Sequence, residues 1–490
     1  MGRLDDEGSP LMTTARLFSL LAFALVHVPL EAHIGSPDVF HEAMAGPYRL
    51  LVVVRPPPVI PGVAEIQIRS ATPGIDRIRI VPLPLTGAGA SIAPTPDLAE
   101  RSKYDPDSFS GTLWMMSTGT WQVRVEAEGK EGKGEFSIPV PALPTRTLTM
   151  QPKLGAVLFV LMIVLMAGLV SIVGAGTLEG QLEPGRKPSK AEVKRSRTVM
   201  GVTAALAAGI AVLGNWWWNS EASGYSRNVY KPLQITASLE ANSRLKLRIS
   251  DPGWLKFRKT DDFIPDHSHL MHLILIRIPR MEKLWHLHPE QTESGVFVHD
   301  LPDMPAGRYQ LFADVVHANG LPETMITEFD LPAVLGKPLS GDDSAATAHP
   351  IDVPDHRRTG VVLPGDALMI WERDDVIANV LTPFRFRVQD KAGDPVRDME
   401  LYMGMPGHAF FVKKDRRVFA HVHPSGSSPM ASLQLGDPNL AHAAHATQSS
   451  ELPATVSFPF AFPEPGDYRV FVQIKRAGQI QTGVFDVEVF

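Results

Sequence analysis

Two long apolar stretches limit what this chain can fold into more than any other feature. Residues 154–176 contain no charged side chain, and a second uncharged stretch covers residues 199–218. Each is long enough to cross a hydrocarbon core of about 30 Å as a helix. Trp216, Trp217 and Trp218 end the second stretch, where amphipathic rings favour the headgroup region of a bilayer. The sequence therefore predicts two transmembrane helices in a lipid bilayer; the alternative is two buried helices of a soluble core.

The loop between these stretches sets the expected topology. Residues 177–198 carry six Lys and Arg side chains against three glutamates, and short loops rich in Lys and Arg stay cytoplasmic. Residues 1–32 agree, because they are typical of an N-terminal extension and signal peptide, with an apolar run after Arg16 and a small residue, Ala32, before the cleavage point. We therefore expect a protein of the bacterial inner membrane whose remaining domains lie on the periplasmic side.

The rest of the chain is typical of β structure. Its 43 prolines and 39 glycines suit many short strands joined by turns. Alternating apolar runs predict sandwiches at residues 33–149, 225–335 and 361–490, with a polar linker at 336–360. The expected fold class is mainly β, with three Ig-like antiparallel β-sandwich domains plus two transmembrane helices. A net charge of −6 gives no reason to expect a nucleic-acid partner, and the absence of cysteine excludes disulfides and thiolate sites.

The second and third predicted domains share a histidine motif. In each, one histidine opens an apolar run that leads to a His-x-His-Pro sequence. The members are His272, His286 and His288 in the first copy, and His408, His421 and His423 in the second. Both motifs then lead to a similar tail, PAGRYQLF in one copy and EPGDYRVF in the other. Two such repeats indicate a duplicated β domain.

The residue types in this motif favour a transition metal. Alternation along a strand puts both members of His-x-His on one face, about 7 Å apart. With one histidine from a neighbouring strand they form an imidazole site suited to copper, zinc or nickel, which we expect at the mouth of each sandwich. Met403 and Met405 precede the second copy, and thioether with imidazole retains Cu(I), so copper is the expected cofactor. The alternative is that the histidines are structural and bond the backbone at a sandwich edge.

Other histidines receive separate interpretations. If cleavage follows Ala32, the α-amino group and Nδ1 of His33 could chelate one copper ion, and His41 could complete the set. Otherwise His33 has no role. We interpret four more as ordinary surface residues: His299, His317, His349 and His356. The chain contains no Gly-rich phosphate loop after a strand, no G-x-S-x-G and no H-E-x-x-H, so we do not expect an enzyme.

Parts of the chain resemble known families. The last domain resembles the YtkA-like/FixH-like family of extracytoplasmic β-sandwiches through MGMPGHA from Met403, FAHVHP from Phe419 and FPEPGDYR from Phe462. The middle domain is similar to a divergent member through MHL from Met271 and HLHP from His286. The first domain resembles CopC-type copper-resistance sandwiches only at its expected mature N-terminus. Members of the YtkA-like family are often associated with copper handling or respiratory-oxidase assembly, which implies a membrane oxidase or copper-transport partner.

Together these features predict a membrane-anchored extracytoplasmic metal-binding protein that binds, delivers or confers resistance to copper. Two alternatives remain open. One is a non-catalytic scaffold or assembly factor for a membrane complex, in which the histidines are structural. The other is a copper-dependent redox enzyme built on the His33 chelate.

Overall fold

The computed structural model describes residues 37–180, 182–183, 185–241, 243–254, 258–437 and 452–490. The predicted signal peptide and His33 lie outside these residues. The described chain forms six antiparallel sheets, which pair into three Ig-like sandwiches, and two long helices. The predicted fold class is confirmed.

The first sandwich lies before the helices. Its strands are β1 (Val39–Ala45), β2 (Tyr48–Arg55), β3 (Gly62–Ser70), β4 (Ile75–Pro84), β5 (Asp97–Leu98), β6 (Glu100–Arg101), β7 (Ser108–Met115), β8 (Gly119–Gly129) and β9 (Gly132–Ala142). One sheet has the order β1-β2-β3-β7-β6 and the other β5-β4-β8-β9. Alternate residues of the longer strands point into one apolar core between the two sheets, as the period of two along a strand requires.

The two helices are long and apolar enough to cross a membrane, and their most apolar segments are not buried inside the protein. They are α1 (Pro152–Glu179) and α2 (Lys190–Arg227). Helix α2 begins inside the predicted loop 177–198, because Ser189 and Glu192 form a capping box at its start. The helices contact each other where the Ser196 hydroxyl donates to the Gly174 carbonyl, 2.8 Å away. These features support anchoring in a membrane.

The second sandwich follows α2. Its strands are β10 (Gln234–Glu240), β11 (Arg244–Ser250), β12 (His272–Ile278), β13 (Lys283–Leu287), β14 (Glu290–Glu293), β15 (Val296–Asp300), β16 (Gly307–Val316), β17 (Pro322–Leu331) and β18 (Ser344–Thr347). The sheets have the orders β10-β11-β15-β14 and β17-β16-β12-β13-β18. Strand β18 lies within residues 336–360, where the sequence predicted only a linker. It forms because β13 presents a free edge with which this segment pairs.

The third sandwich ends the chain. Its strands are β19 (Gly360–Val362), β20 (Leu368–Glu372), β21 (Thr382–Gln389), β22 (Met399–Glu400), β23 (His408–Lys413), β24 (Phe419–Val422), β25 (Thr455–Phe460), β26 (Gly466–Arg476) and β27 (Gln479–Val489). The sheets have the orders β19-β20-β21-β25 and β22-β26-β23-β24. Strand β27 also pairs with β26, along the edge opposite β23. A short helix, α3 (Met430–Gly436), follows β24 and packs against β9 of the first sandwich.

The second and third sandwiches repeat each other strand for strand around the histidines. In the second, β12 lies between β13 and β16 with His272 opposite Asp314. In the third, β23 lies between β24 and β26 with His408 opposite Gln473. The loops before β12 and β23 also share a conformation, since the second and third residues of each four-residue turn have positive φ. This is the arrangement that a duplication predicts.

The equivalent sheets of these two sandwiches pack against each other. Between them lies an apolar cluster that draws residues from both domains, including Ile274, Phe312, Phe410 and Phe419. The rings of Phe312 and Phe419 stack across the boundary with centroids 4.0 Å apart. Strands β12 and β23 are consequently covered on both faces, and the end of this apolar interface is where the histidines meet.

Candidate metal centre

Eight histidines meet where the second and third sandwiches join. They are His267, His269, His272, His286, His288, His408, His421 and His423, whose rings form one connected set of contacts. Among the described residues, two trios place one candidate ligand atom per histidine within 4.8 Å of the others. We name them trio A (His272, His286, His288) and trio B (His267, His408, His423). The geometry of each trio permits one transition-metal ion.

Trio A is the set that the sequence predicted, whereas trio B differs from its prediction. His267, from the second sandwich, takes the place expected for His421 beside His408 and His423. The expected location is also wrong, because the cluster lies between two sandwiches and not at the mouth of each. His286 and His408 have no exposed surface, and the repeated sheets cover them from both sides.

In trio A, the hydrogen-bond partners of the rings determine which nitrogens are free. His272 Nε2 lies 3.1 Å from the Asp266 carbonyl oxygen, to which it donates. His286 Nδ1 donates across the domain boundary to Oε1 of Gln473, 2.9 Å away. The facing atoms, His272 Nδ1 and His286 Nε2, are 3.1 Å apart and both carry lone pairs in these neutral tautomers. Two facing lone pairs repel each other, and a cation bound by both nitrogens removes that repulsion.

His288 completes trio A with the outer partner that metal-binding histidines usually have. Its Nδ1 donates to a carboxylate oxygen of Asp343 at 3.0 Å, while its Nε2 is buried without a hydrogen-bond partner among the described residues. Burial alone would raise the pKa of Asp343, but hydrogen bonds from His288 and His299 hold that pKa well below its ordinary value. In metal sites, a carboxylate commonly accepts a hydrogen bond from the far nitrogen of a ligating histidine, which orients the ring and increases its basicity.

Trio B has the same pattern of free inner nitrogens. His423 Nδ1 donates to the Ser428 carbonyl at 3.3 Å. His423 Nε2, His267 Nε2 and both ring nitrogens of His408 are buried without a hydrogen-bond partner in the described chain. The His267 ring centroid is 5.0 Å from those of His408 and His423. Such buried unpaired nitrogens cost free energy unless a ligand satisfies them.

His421 lies beside trio B and repeats the role of His286. Its Nδ1 donates to the Asp314 carboxylate of the second sandwich at 3.2 Å, as His286 donates to Gln473 of the third. Its Nε2 is buried and unpaired among the described residues, and its ring centroid is 4.7 Å from that of His423. The contacts across the interface are therefore reciprocal, and His421 could add a fourth imidazole to trio B.

Burial controls the protonation of the cluster. Desolvation lowers the pKa of four histidines well below 6.5, and the neighbouring imidazoles lower it further; these are His272, His286, His408 and His423. A neutral imidazole is the form that binds metals, whereas a protonated ring cannot. These four rings are thus in their ligand form at neutral pH.

The remaining predicted ligands lie around the cluster. Met403 and Met405 are buried in the turn before β23, and the Met403 backbone accepts a hydrogen bond from His267. His41 lies on β1, outside both trios, and burial lowers its pKa to about 4. It neighbours the loop after β24, since its backbone bridges to Gly426.

One histidine that we interpreted as a surface residue is buried. His317 is only 2% exposed and bonds Asp262 and Glu323 through its two ring nitrogens. Burial lowers its pKa, but the hydrogen bonds to Glu323 and Asp262 outweigh burial and raise it overall. The other three of that group each lie within 4.0 Å of a carboxylate: His299, His349 and His356.

Sequence reasoning missed His267 as a candidate ligand. An alignment of the two turns could have identified it, because residues 266–269 match residues 402–405 and His267 then matches Met403. Both residues have φ near +51°, so the two side chains leave equivalent backbone positions. One turn therefore presents imidazole where the other presents thioether.

Comparison with known proteins gives one family match. A family model described as "Domain of unknown function (DUF8832)" matches residues 226–332 and 366–490. These ranges contain both trios. No curated protein matches the chain.

Solved structures resemble the chain only distantly. A tetra-tandem repeat in the extending region of a large adhesion protein is 7% identical, with 88% of this chain and 71% of that chain covered and a TM-score of 0.17. Dimeric latent PorU from Porphyromonas gingivalis is 9% identical, with 92% and 34% covered and a TM-score of 0.14. Salmonella alpha-2-macroglobulin is 8% identical, with 91% and 24% covered and a TM-score of 0.21. Likeness at this level carries no argument about function.

Proposed function

We propose that this protein is a membrane-anchored metal-binding protein that handles copper at the cluster between its second and third sandwiches. The observation that carries the proposal is the set of buried imidazole nitrogens that face inward without a protein partner. Seven of the eight cluster rings also direct one nitrogen to a carbonyl, amide or carboxylate: His267, His269, His272, His286, His288, His421 and His423. That combination of free inner nitrogens and anchored outer nitrogens is what a histidine metal site requires.

Copper fits the donor set best. Imidazole suits copper, zinc, iron and nickel, and the chain has no cysteine that would favour a thiolate zinc site. Two buried methionines, Met403 and Met405, occupy a turn beside the cluster, and thioethers favour Cu(I) over the harder ions. The resemblance to YtkA-like/FixH-like domains supports the same metal and the same role in binding or delivery on the periplasmic side of a membrane.

Metal titration of the full chain in detergent tests this function. The protein, stripped with a chelator, should bind two copper ions per chain, one for each trio, as measured by elemental analysis and calorimetry. His288→Ala should remove the ion of trio A, and His423→Ala should remove the ion of trio B. His356→Ala is the matched control, because His356 lies outside the cluster and pairs with Asp467.

Two results would contradict the proposal. Wild-type protein that binds no copper at micromolar metal would leave the histidines with a purely structural role in joining the sandwiches. Variants that keep full stoichiometry would place the metal elsewhere in the chain. Circular dichroism of each variant separates loss of a ligand from loss of the fold.

A further inference from the structure

A cavity of about 1650 Å³ lies between all three sandwiches and ends at the histidine cluster. His272, His421 and His423 line one part of it. Another part is lined by the segments that connect the first sandwich to α1 and α2 to the second sandwich, represented by Thr145 and Tyr230. The cavity thus joins the candidate metal site to the part of the protein next to the membrane helices.

We propose that this cavity is the route by which the metal ion reaches and leaves the cluster, from the side of the protein that faces the membrane. The inference rests on the proposed function, because a route has meaning only if the cluster binds metal. The two connecting segments are held together at the cavity wall, where the Tyr230 backbone N–H donates to the Pro144 carbonyl at 2.7 Å. Both segments lead directly into helices long enough to span a bilayer.

The wall of the cavity has the chemistry that a cation needs. Six lining residues are carboxylates and four are Lys or Arg. Three of these carboxylates pair with basic side chains: Asp38 with Arg55, Glu323 with Arg258 and Glu464 with Lys413. Glu65, Asp266 and Asp314 have no Lys or Arg partner among the described residues. Beside the cluster, the Asp314 carboxylate accepts hydrogen bonds from His421 Nδ1 and from the Thr324 hydroxyl. A hydrated cation that moves along this wall therefore meets a carboxylate immediately before the imidazoles.

A partly exposed edge of the cluster offers a competing route. The apolar interface closes one side, where the Phe410 ring centroid is 4.8 Å from that of His421. On another side His269 pairs with Asp342 at 3.2 Å, and both side chains are partly exposed. An ion that entered there would reach trio A without passing through the cavity. The two routes make opposite predictions for a block placed at either end.

The absence of cysteine from the chain permits a clean test. Ile326 lines the cavity and is half-buried, whereas Ser340 is exposed near the His269–Asp342 pair. Ile326→Cys and Ser340→Cys are each reacted, in the full chain, with N-ethylmaleimide or with a poly(ethylene glycol) maleimide. Each position then carries a small cap or a bulky cap, so the small cap controls for the substitution and for the lost thiol. Loading with Cu(II) and release to a chelator are followed by stopped flow.

We expect the bulky cap at position 326 to slow loading and release by the same factor, roughly ten-fold or more, because it obstructs passage without touching the ligands. Stoichiometry and equilibrium affinity should stay unchanged, and the bulky cap at position 340 should have little effect. The bulky cap on Thr145→Cys, in another part of the cavity wall, should slow both rates as well, whereas slowing at position 326 alone would mean that the cap there perturbs the cluster itself. Slowing at position 340 alone, or unchanged rates at both cavity positions, overturns the route. Failure of the wild-type protein to bind copper would instead refute the proposed function.

Discussion

Replacing Arg469 should lower the free energy of unfolding, because this side chain connects the second and third sandwiches. Arg469 has no exposed surface, and its guanidinium donates twice to the Asp486 carboxylate, at 2.8 and 3.0 Å. It also donates to the carbonyls of Met281 and His349, at 2.8 and 2.7 Å. Through these bonds one side chain of the third sandwich holds the second sandwich and the segment between them.

Arg469→Met removes this charge but leaves Asp486 buried, with His349 as its remaining polar partner among the described residues. Burial raises the pKa of Asp486, and the bonds from Arg469 normally outweigh burial and lower it. Breaking one side of a buried ion pair costs roughly 3–5 kcal/mol. We therefore expect the free energy of unfolding to fall by roughly that amount. Urea denaturation of the full chain in detergent, followed by tryptophan fluorescence, measures it, since Trp285 and Trp371 are buried in the two sandwiches.

The double variant Arg469→Met, Asp486→Leu is the control. Replacing both members of a buried pair by apolar groups is often neutral. The carbonyls of Met281 and His349 still lose a donor, and each unsatisfied buried group costs about 1–3 kcal/mol. The double variant should thus be more stable than the single variant and less stable than the wild type. A single variant that loses less than about 1 kcal/mol, the net value of an ordinary hydrogen bond, would refute the role assigned to Arg469.

Three further predictions concern acid, copper and topology. Metal-free protein should lose stability as pH falls below 6.5, because the buried cluster histidines bind protons only when the protein is unfolded. The loss should be about 1.4 kcal/mol per pH unit for each such histidine. Equal urea midpoints at about pH 7 and pH 5 would contradict this. Met403→Leu with Met405→Leu should weaken Cu(I) binding about ten-fold and leave Zn(II) binding unchanged, since thioethers prefer the softer ion; equal effects on both ions would remove the methionines from the site. A cysteine at Lys190 should resist an impermeant thiol reagent in intact cells while one at Gly341 reacts, and the reverse labelling would invert the topology.

The strands were predictable because their signals are local. The strands at residues 48–55, 244–250 and 296–300 lie inside the predicted sandwich ranges, and each has apolar residues bounded by turn residues. The pairing of β18 was not predictable, because a short polar segment becomes a strand only when a free edge is present. The start of α2 also differed from its prediction, since apolar length does not reveal a capping box.

The cluster was predictable only in part. Trio A follows from the spacing of His272 and His286 on paired strands, which is a property of one domain. Trio B depends on contacts between domains, and the spacing of residues within one domain does not show which residues of the other domain will contact it. A partial signal exists in β12 and β23, where residues on both faces of each strand are apolar or aromatic. A strand that is apolar on both faces indicates a sheet covered on both sides. From this pattern one could have predicted that another layer of the protein packs against each histidine motif.

The reciprocal contacts across the interface have an evolutionary consequence. His286 reaches Gln473 as His421 reaches Asp314, and equivalent sheets form both sides of the interface. Self-complementary surfaces of this kind are those of a two-fold symmetric homodimer. A single ancestral domain could have assembled the whole cluster by pairing with its own copy, before fusion joined the copies in one chain. Two copies in one chain, unlike two identical subunits, can differ at equivalent positions, as His267 and Met403 do.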